Sequence, residues 1–146
     1  MFGTRQNGVN AYAKVGIETG VTAASPHKLI VMLFDGALVS VATAIHQMKA
    51  GNISEKGKAI SKAILIIDSG LRASLDKKAG GDIAEGLDAL YEYMSERLLM
   101  ANLHNQPDLL EEVQRLLSDL RDTWNEIGVT PAARGEVERS ANFASA

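Results

Sequence analysis

The stretch from Leu29 to Ile45 constrains the fold more than any other part of the chain. Leu29, Ile30, Val31, Met32, Leu33 and Phe34 are consecutive apolar residues, and Leu38, Val39, Val41 and Ile45 continue the pattern. At about 100° of rotation per residue, a helix carrying them is apolar on nearly every side, so it needs partners on nearly every side. Asp35, Ser40 and Thr43 interrupt the run, with Gly36 beside the acid. A central Asp costs roughly 2.5–3.5 kcal/mol in a membrane helix, and the run is short for a span. The segment therefore reads as a soluble helix around which other helices pack.

Punctuation divides the rest of the chain into further helices. Ser25 is a good N-cap and Pro26 suits the first helical position, and Gly51 can take the left-handed conformation that ends the helix. A second helix is expected from Asn52 or Ser54 to about Asp76, with Asn52 and Glu55 at capping-box spacing. Lys77 to Gly81 reads as a break. A third helix opens at Asp82, again with a capping-box partner in Glu85, and runs to about Leu103. His104, Asn105 and Gln106 make a turn. Pro107 opens a fourth helix, with Asp108, Glu111 and Glu112 in a first turn where negative charge suits the dipole, and it reaches about Ile127. Short connections make sequential helices antiparallel neighbours. The expectation is an all-α, antiparallel up-and-down four-helix bundle over residues 25–127. An N-terminal cap or lid segment, 1–24, precedes it, and a mobile C-terminal tail, 128–146, follows. The palette agrees, with apolar residues at 46% but aromatics at only 5%.

Each helix shows a stripe. In the fourth it is Leu109, Val113, Leu116, Leu120, Trp124 and Ile127, which places Trp124 in the core. In the third it is Ile83, Leu87, Leu90, Tyr91, Met94, Leu98 and Ala101. In the second it is Ile60, Ala63, Ile64, Ile67, Leu71 and Leu75. Leu65 points away from that stripe, and Ile66 lies to one side. A four-helix bundle of this size cannot enclose its first helix completely. The apolar surplus implies self-association, a hydrophobic groove for a ligand, or cover by the terminal segments. Val9, Tyr12 and Ala13 fall on one side of a helical turn and can form a displaceable lid.

The residues argue against catalysis. A di-iron bundle needs Glu and His three apart on core positions, and the residues three before His27, His46 and His104 are Ala24, Thr43 and Ala101. All three histidines read as solvated, and His46 is a poor phosphotransfer candidate. Gly80 and Gly81 are not followed by the Lys-Ser or Lys-Thr of a phosphate-binding loop. No cysteine is present, which removes disulfides and thiolate metal sites. No metal, cofactor or catalytic residue is expected. A net charge of −3 leaves no basic footprint for nucleic acid and no polybasic patch for a membrane surface. The polar, Gly-rich residues 1–20 lack the apolar core of a secretory leader, which predicts a cytoplasmic protein. Asp35 is expected to cap a neighbouring helix or to pair with Lys or Arg.

The ordered motifs resemble the flagellar secretion chaperone family, FliS. They include Ala24-Ser25-Pro26-His27-Lys28-Leu29-Ile30 and Met32-Leu33-Phe34-Asp35-Gly36-Ala37. They continue through Ile66-Ile67-Asp68, Gly80-Gly81-Asp82-Ile83-Ala84, Leu90-Tyr91-Glu92-Tyr93-Met94, Leu120-Arg121-Asp122 and Trp124. Ala11-Tyr12 matches the family's N-terminal tyrosine. Phe34 stands where many members carry Tyr, and the chain beyond Ile127 matches nothing in the pattern. The resemblance implies a chaperone that binds the disordered C-terminal region of flagellin and prevents its premature polymerisation. It also implies delivery to the flagellar type III export gate and contact with regulators such as the anti-sigma factor. Val9 and Tyr12 are the expected lid, and Ile60, Leu65, Ile66 and Tyr93 the expected groove. The alternative is a helical homodimerisation scaffold without a substrate.

Overall fold

Ser25 and Pro26 start the first helix as their chemistry directs. Ser25 Oγ accepts from the Lys28 amide at 3.1 Å, and helix α1 runs Pro26–Lys49. The computed structural model describes residues 25–127. Val9, Tyr12, the lid segment and the tail from 128 onward lie outside the described residues. After Gly51, which takes φ 77°, α2 runs Ile53–Leu65 and continues as a π-helical segment, Ile66–Arg72. Helix α3 spans Lys77–His104 and α4 spans Pro107–Ile127. Among the described residues the fold is all-helical, and it is a four-helix bundle.

Cross-helix bonds set the topology. Trp124 Nε1 donates to the His27 carbonyl at 3.3 Å, and Arg121 Nε donates to Asp35 Oδ1 at 2.8 Å, so α4 runs antiparallel to α1. Lys56 reaches the end of α3, and Arg72 reaches Asp88 near its beginning, so α2 and α3 are also antiparallel. Helix α1 packs against α2 and α4 and lies diagonally across from α3. Its buried set is Leu29, Val31, Leu33, Phe34, Ala37, Ser40, Val41 and Ala44. At 24 residues α1 has nearly the bounds expected of it, and it is long and apolar enough to cross a membrane. Its burial between two helices and the Asp35–Arg121 bond make it the core helix of this bundle. Asp35 thus has the structural partner expected of it.

Several sequence expectations are corrected. Asn52 makes no capping bond with its side chain; its Nδ2 donates to Gln47 Oε1 at 2.6 Å instead. The second helix does not run unbroken to Asp76. It passes into the π-helical segment and ends at Arg72. Gly70 lies within that segment, where a Cβ would come 2.9 Å from Leu33 Cδ2, so α1 approaches closely at a residue without a side chain. Residues 77–81 do not form an open break. Asp76 accepts from the Ala79 amide at 3.0 Å and starts α3 five residues early. The chain then kinks at Gly81, whose φ of 53° and ψ of −132° are not helical. Beyond the kink Ile83 is 44% exposed, while Ala84 takes the buried place.

Helix α4 is rotated relative to its expected stripe. Leu110 and Leu117, outside that stripe, are fully buried with Val113. Leu116, Leu120 and Trp124 pack only partly against the core. Trp124 is half-buried at the bundle's end, its ring stacked on His27 at 5.2 Å. His27 is therefore half-buried rather than solvated, whereas His46 and His104 are exposed as expected. Lys56 is a buried cation with 3% exposure. Its Nζ donates to the Asn102 carbonyl at 3.0 Å and to Asn105 Oδ1 at 2.6 Å. A cation there favours the negative end of α3, whose chain reverses at left-handed Asn105, φ 52°.

This geometry predicts that Leu117→Ala costs about 2–5 kcal/mol in a urea titration. Leu116→Ala should cost clearly less, and equal costs would mean that the rotation of α4 is misplaced.

Candidate functional site

Apolar side chains that no helix covers mark where a partner can bind. Leu65, Leu99 and Leu103 are 61%, 52% and 64% exposed. Leu65 ends α2, three residues before Asp68 of the π-helical segment. On α3, Leu99 lies four residues after Ser95, about 40° around. Ser95 Oγ donates to Asp68 Oδ1 at 2.9 Å, which places both leucines along the outer edge of one seam. The other end of this seam is closed by Lys56 on Asn102. Gly57 lies between, where a Cβ would sit 3.9 Å from the Asn102 amide oxygen, and exposed Ser61 follows one turn on. Small residues on α2 and exposed leucines on α3 thus lie along the seam between charged ends.

At the far end of the seam, Arg72 Nε donates to Asp88 Oδ1 at 2.6 Å, and Lys77 Nζ lies 3.0 Å from Oδ2. The hydrogen bond from Arg72, then that from Lys77, holds the Asp88 carboxyl below its usual range.

The predicted groove residues are not gathered in one place. Leu65 is exposed on the α2–α3 seam, as its helical phase required. Ile60 is a correction: it is 1% exposed and belongs to the core, because the stripe that includes Ala63 and Ile67 faces inward there. Ile66 is half-buried on the opposite side of α2, facing α1, 3.4 Å from where a Cβ on Gly36 would stand. Tyr93 is on the α3–α4 side. Its hydroxyl donates to Glu112 Oε2 at 2.6 Å, Arg97 Nε donates to Oε1 at 2.8 Å, and the guanidinium carbon lies 5.5 Å from the ring centroid. The hydrogen bond from Tyr93 and that from Arg97 lower the Glu112 pKa. Leu99 and Leu103 were missed as site residues. The available signal was their four-residue spacing off the core stripe of α3.

Two further hollows are present. One, about 150 Å3, lies at the end of the bundle where α1 begins, lined by Ile30, Phe34, Leu75, Leu87, Tyr91 and Trp124 among others. Burial raises the Tyr91 pKa well above that of an ordinary phenol. The other, about 220 Å3, lies between α1 and α2 beside Val39, which is 66% exposed. Among the described residues no cluster of His, Asp and Glu could hold a metal.

Comparison with known proteins shows the family to which the chain belongs. The family model described as flagellar protein FliS matches residues 8–131. A flagellar secretion chaperone FliS from Salmonella typhimurium is 50% identical over 121 residues, covering 83% of this chain and 90% of the relative. The FliSB chaperone from Pseudomonas aeruginosa is 47% identical, over 80% of this chain and 91% of its own length. The FliS chaperone from Escherichia coli is 43% identical, over 86% and 92%. This is a family of chaperones, not of enzymes.

The Asp88 pairing generates a pH prediction. Its carboxylate is favoured in the folded state, so the stabilisation is complete above the ordinary value of 3.8 and is lost as pH falls through the lowered folded value. The Tm gap between the wild type and Asp88→Asn should therefore narrow between about pH 5 and about pH 2. A constant gap would show that the charge of Asp88 is not what stabilises the seam.

Proposed function

The chain belongs to the FliS family of flagellar secretion chaperones, and on that premise we propose that it binds the C-terminal region of flagellin in the cytoplasm. Binding masks that region against premature polymerisation and assists its flagellar type III export. The observation that supports this reading is the α2–α3 seam, where Leu65, Leu99 and Leu103 stay exposed beside Gly57 and Ser61. An amphipathic helix laid there covers the leucines with its own apolar face.

A disordered ligand that folds on binding must offset its ordering entropy, so the interface is expected to extend beyond one seam. In this reading Tyr93 adds contacts on the α3–α4 flank, while Ile66 and Ile60 act from within, by packing α2 against α1 and the core. Val9 and Tyr12 serve as the displaceable lid. The segment that carries them enters α1 at the end that holds the 150 Å3 hollow. The loaded chaperone then presents its cargo to the export gate, and the anti-sigma factor is a further partner of the same kind.

The same exposed leucines would also serve a homodimer, and light scattering with and without a flagellin C-terminal peptide separates the two. Leu65→Asp and Leu99→Asp should each leave folding stability within about 0.5 kcal/mol, as surface changes do. Each would place an unpaired carboxylate in the complex. Calorimetric affinity for the peptide should fall tenfold or more, about 1.4 kcal/mol. Unchanged affinity with intact folding would remove the seam from the binding surface.

A further inference from the structure

The hollow at the end of the bundle is lined from every helix. Phe34 comes from α1, Leu71 from the π-helical segment that continues α2, Leu87 and Tyr91 from α3, and Leu120 and Trp124 from α4. Aromatic residues make up only 5% of the chain, yet three of them, on three helices, line this one space. The Phe34 and Tyr91 rings are tilted by 52° with centroids 6.5 Å apart. Such walls favour an aromatic guest, stacked offset or met edge-on. The hollow's 150 Å3 is room for one benzene ring.

The polar groups narrow the choice of guest. Among the described residues no charged side chain lines the hollow, so an ionic guest would lose its hydration with no counter-charge in return. Three lining side chains are donors. Ser74 Oγ donates to the Gly70 carbonyl at 2.6 Å, and Trp124 Nε1 donates to the His27 carbonyl at 3.3 Å, so two of the three are spent.

The third donor is the Tyr91 hydroxyl. Tyr91 is only 3% exposed, and its hydroxyl has no hydrogen-bond partner among the described residues. Burial alone raises its pKa, which keeps it protonated and able to donate. A buried donor left unpaired is unfavourable, and a guest that brings an acceptor relieves it.

We propose that this hollow is a binding site for a small neutral molecule with one aromatic ring and one hydrogen-bond acceptor, its ring among Phe34, Tyr91 and Trp124 and its acceptor on the Tyr91 hydroxyl. The site is distinct from the α2–α3 seam and does not depend on what binds there. A guest that touches every helix of the folded bundle, and finds no such site in the unfolded chain, stabilises the fold.

The test titrates the full chain with acetophenone, a ring bearing a carbonyl acceptor, and with isopropenylbenzene, its near-isostere without the acceptor. Benzoate is the charged control. Trp124 is the chain's one tryptophan, so its indole N–H gives a single signal in a nitrogen-correlated NMR spectrum. Acetophenone should shift that signal saturably and raise Tm, binding about fivefold or more tighter than isopropenylbenzene, and benzoate should leave the signal in place. Tyr91→Phe removes only the hydroxyl and should bring the two neutral probes within about twofold of each other. Leu87→Phe adds volume to a half-buried wall residue and should abolish binding of both. Absence of a saturable shift with acetophenone would overturn the site. So would equal affinity for the two neutral probes, a preference for acetophenone that survives Tyr91→Phe, or binding that Leu87→Phe leaves unchanged.

Discussion

The structure depends on covering α1. A helix with apolar residues on nearly every side cannot stand at a bundle's edge without shelter, and α2 and α4 take two of its flanks. Asp35, the acid set into this surface, decides where α4 lies, because its carboxylate receives Arg121 beside the core. Gly70 decides how near the π-helical segment comes, because a methyl there would meet Leu33. Once those two flanks are filled, α3 is left diagonal to α1. It closes the bundle through Tyr91, Met94, Leu98 and Ala101.

That position explains why α3 is tied by polar contacts. Lys56 holds its C-terminal end, Ser95 bonds Asp68 near its middle, Arg72 and Lys77 bracket Asp88, and Arg97 joins Tyr93 on Glu112. Partly exposed ion pairs contribute little to stability, about 0–1 kcal/mol each, but they fix spacing. The buried Lys56 is different in kind. Its charge is out of water and must keep both oxygen partners, because an unpartnered buried cation is strongly unfavourable. The α2–α3 seam is therefore anchored at one end by a contact that is costly to break. Its middle is left to small residues and exposed leucines.

Most of the fold was legible in residue order. Ser25-Pro26, Gly51 and Pro107 carry local chemistry strong enough to set helix ends without tertiary help. The exposed phase of Leu65 follows from periodicity alone. The misreadings occurred where tertiary contacts outweigh local signals. Asn52 turns to Gln47 because that amide is within reach across the turn. The α3 start shifts to Asp76 because Gly81 can absorb a non-helical φ while the preceding turn is still capped. The core phase of α4 depends on how it meets α1, so Leu110 and Leu117 outrank Leu116 and Trp124. The site was harder to read than the fold. Leu99 and Leu103 are ordinary leucines whose meaning lies in what fails to cover them.

A protein that keeps leucines exposed must also avoid sticking to itself. Here the apolar positions are spaced along helices rather than gathered in a sheet edge, and charge is set between them. Glu92 and Glu96 flank the leucines on α3, and Lys58 and Lys62 lie on the neighbouring face of α2, all exposed. A second copy brings one fixed arrangement of these acids and lysines to the seam, whereas a ligand helix brings its own polar face. Discrimination between self and substrate can thus rest on the repelling charges around the leucines as much as on the leucines. That arrangement also explains how a surface this apolar can serve a chain whose net charge is only −3.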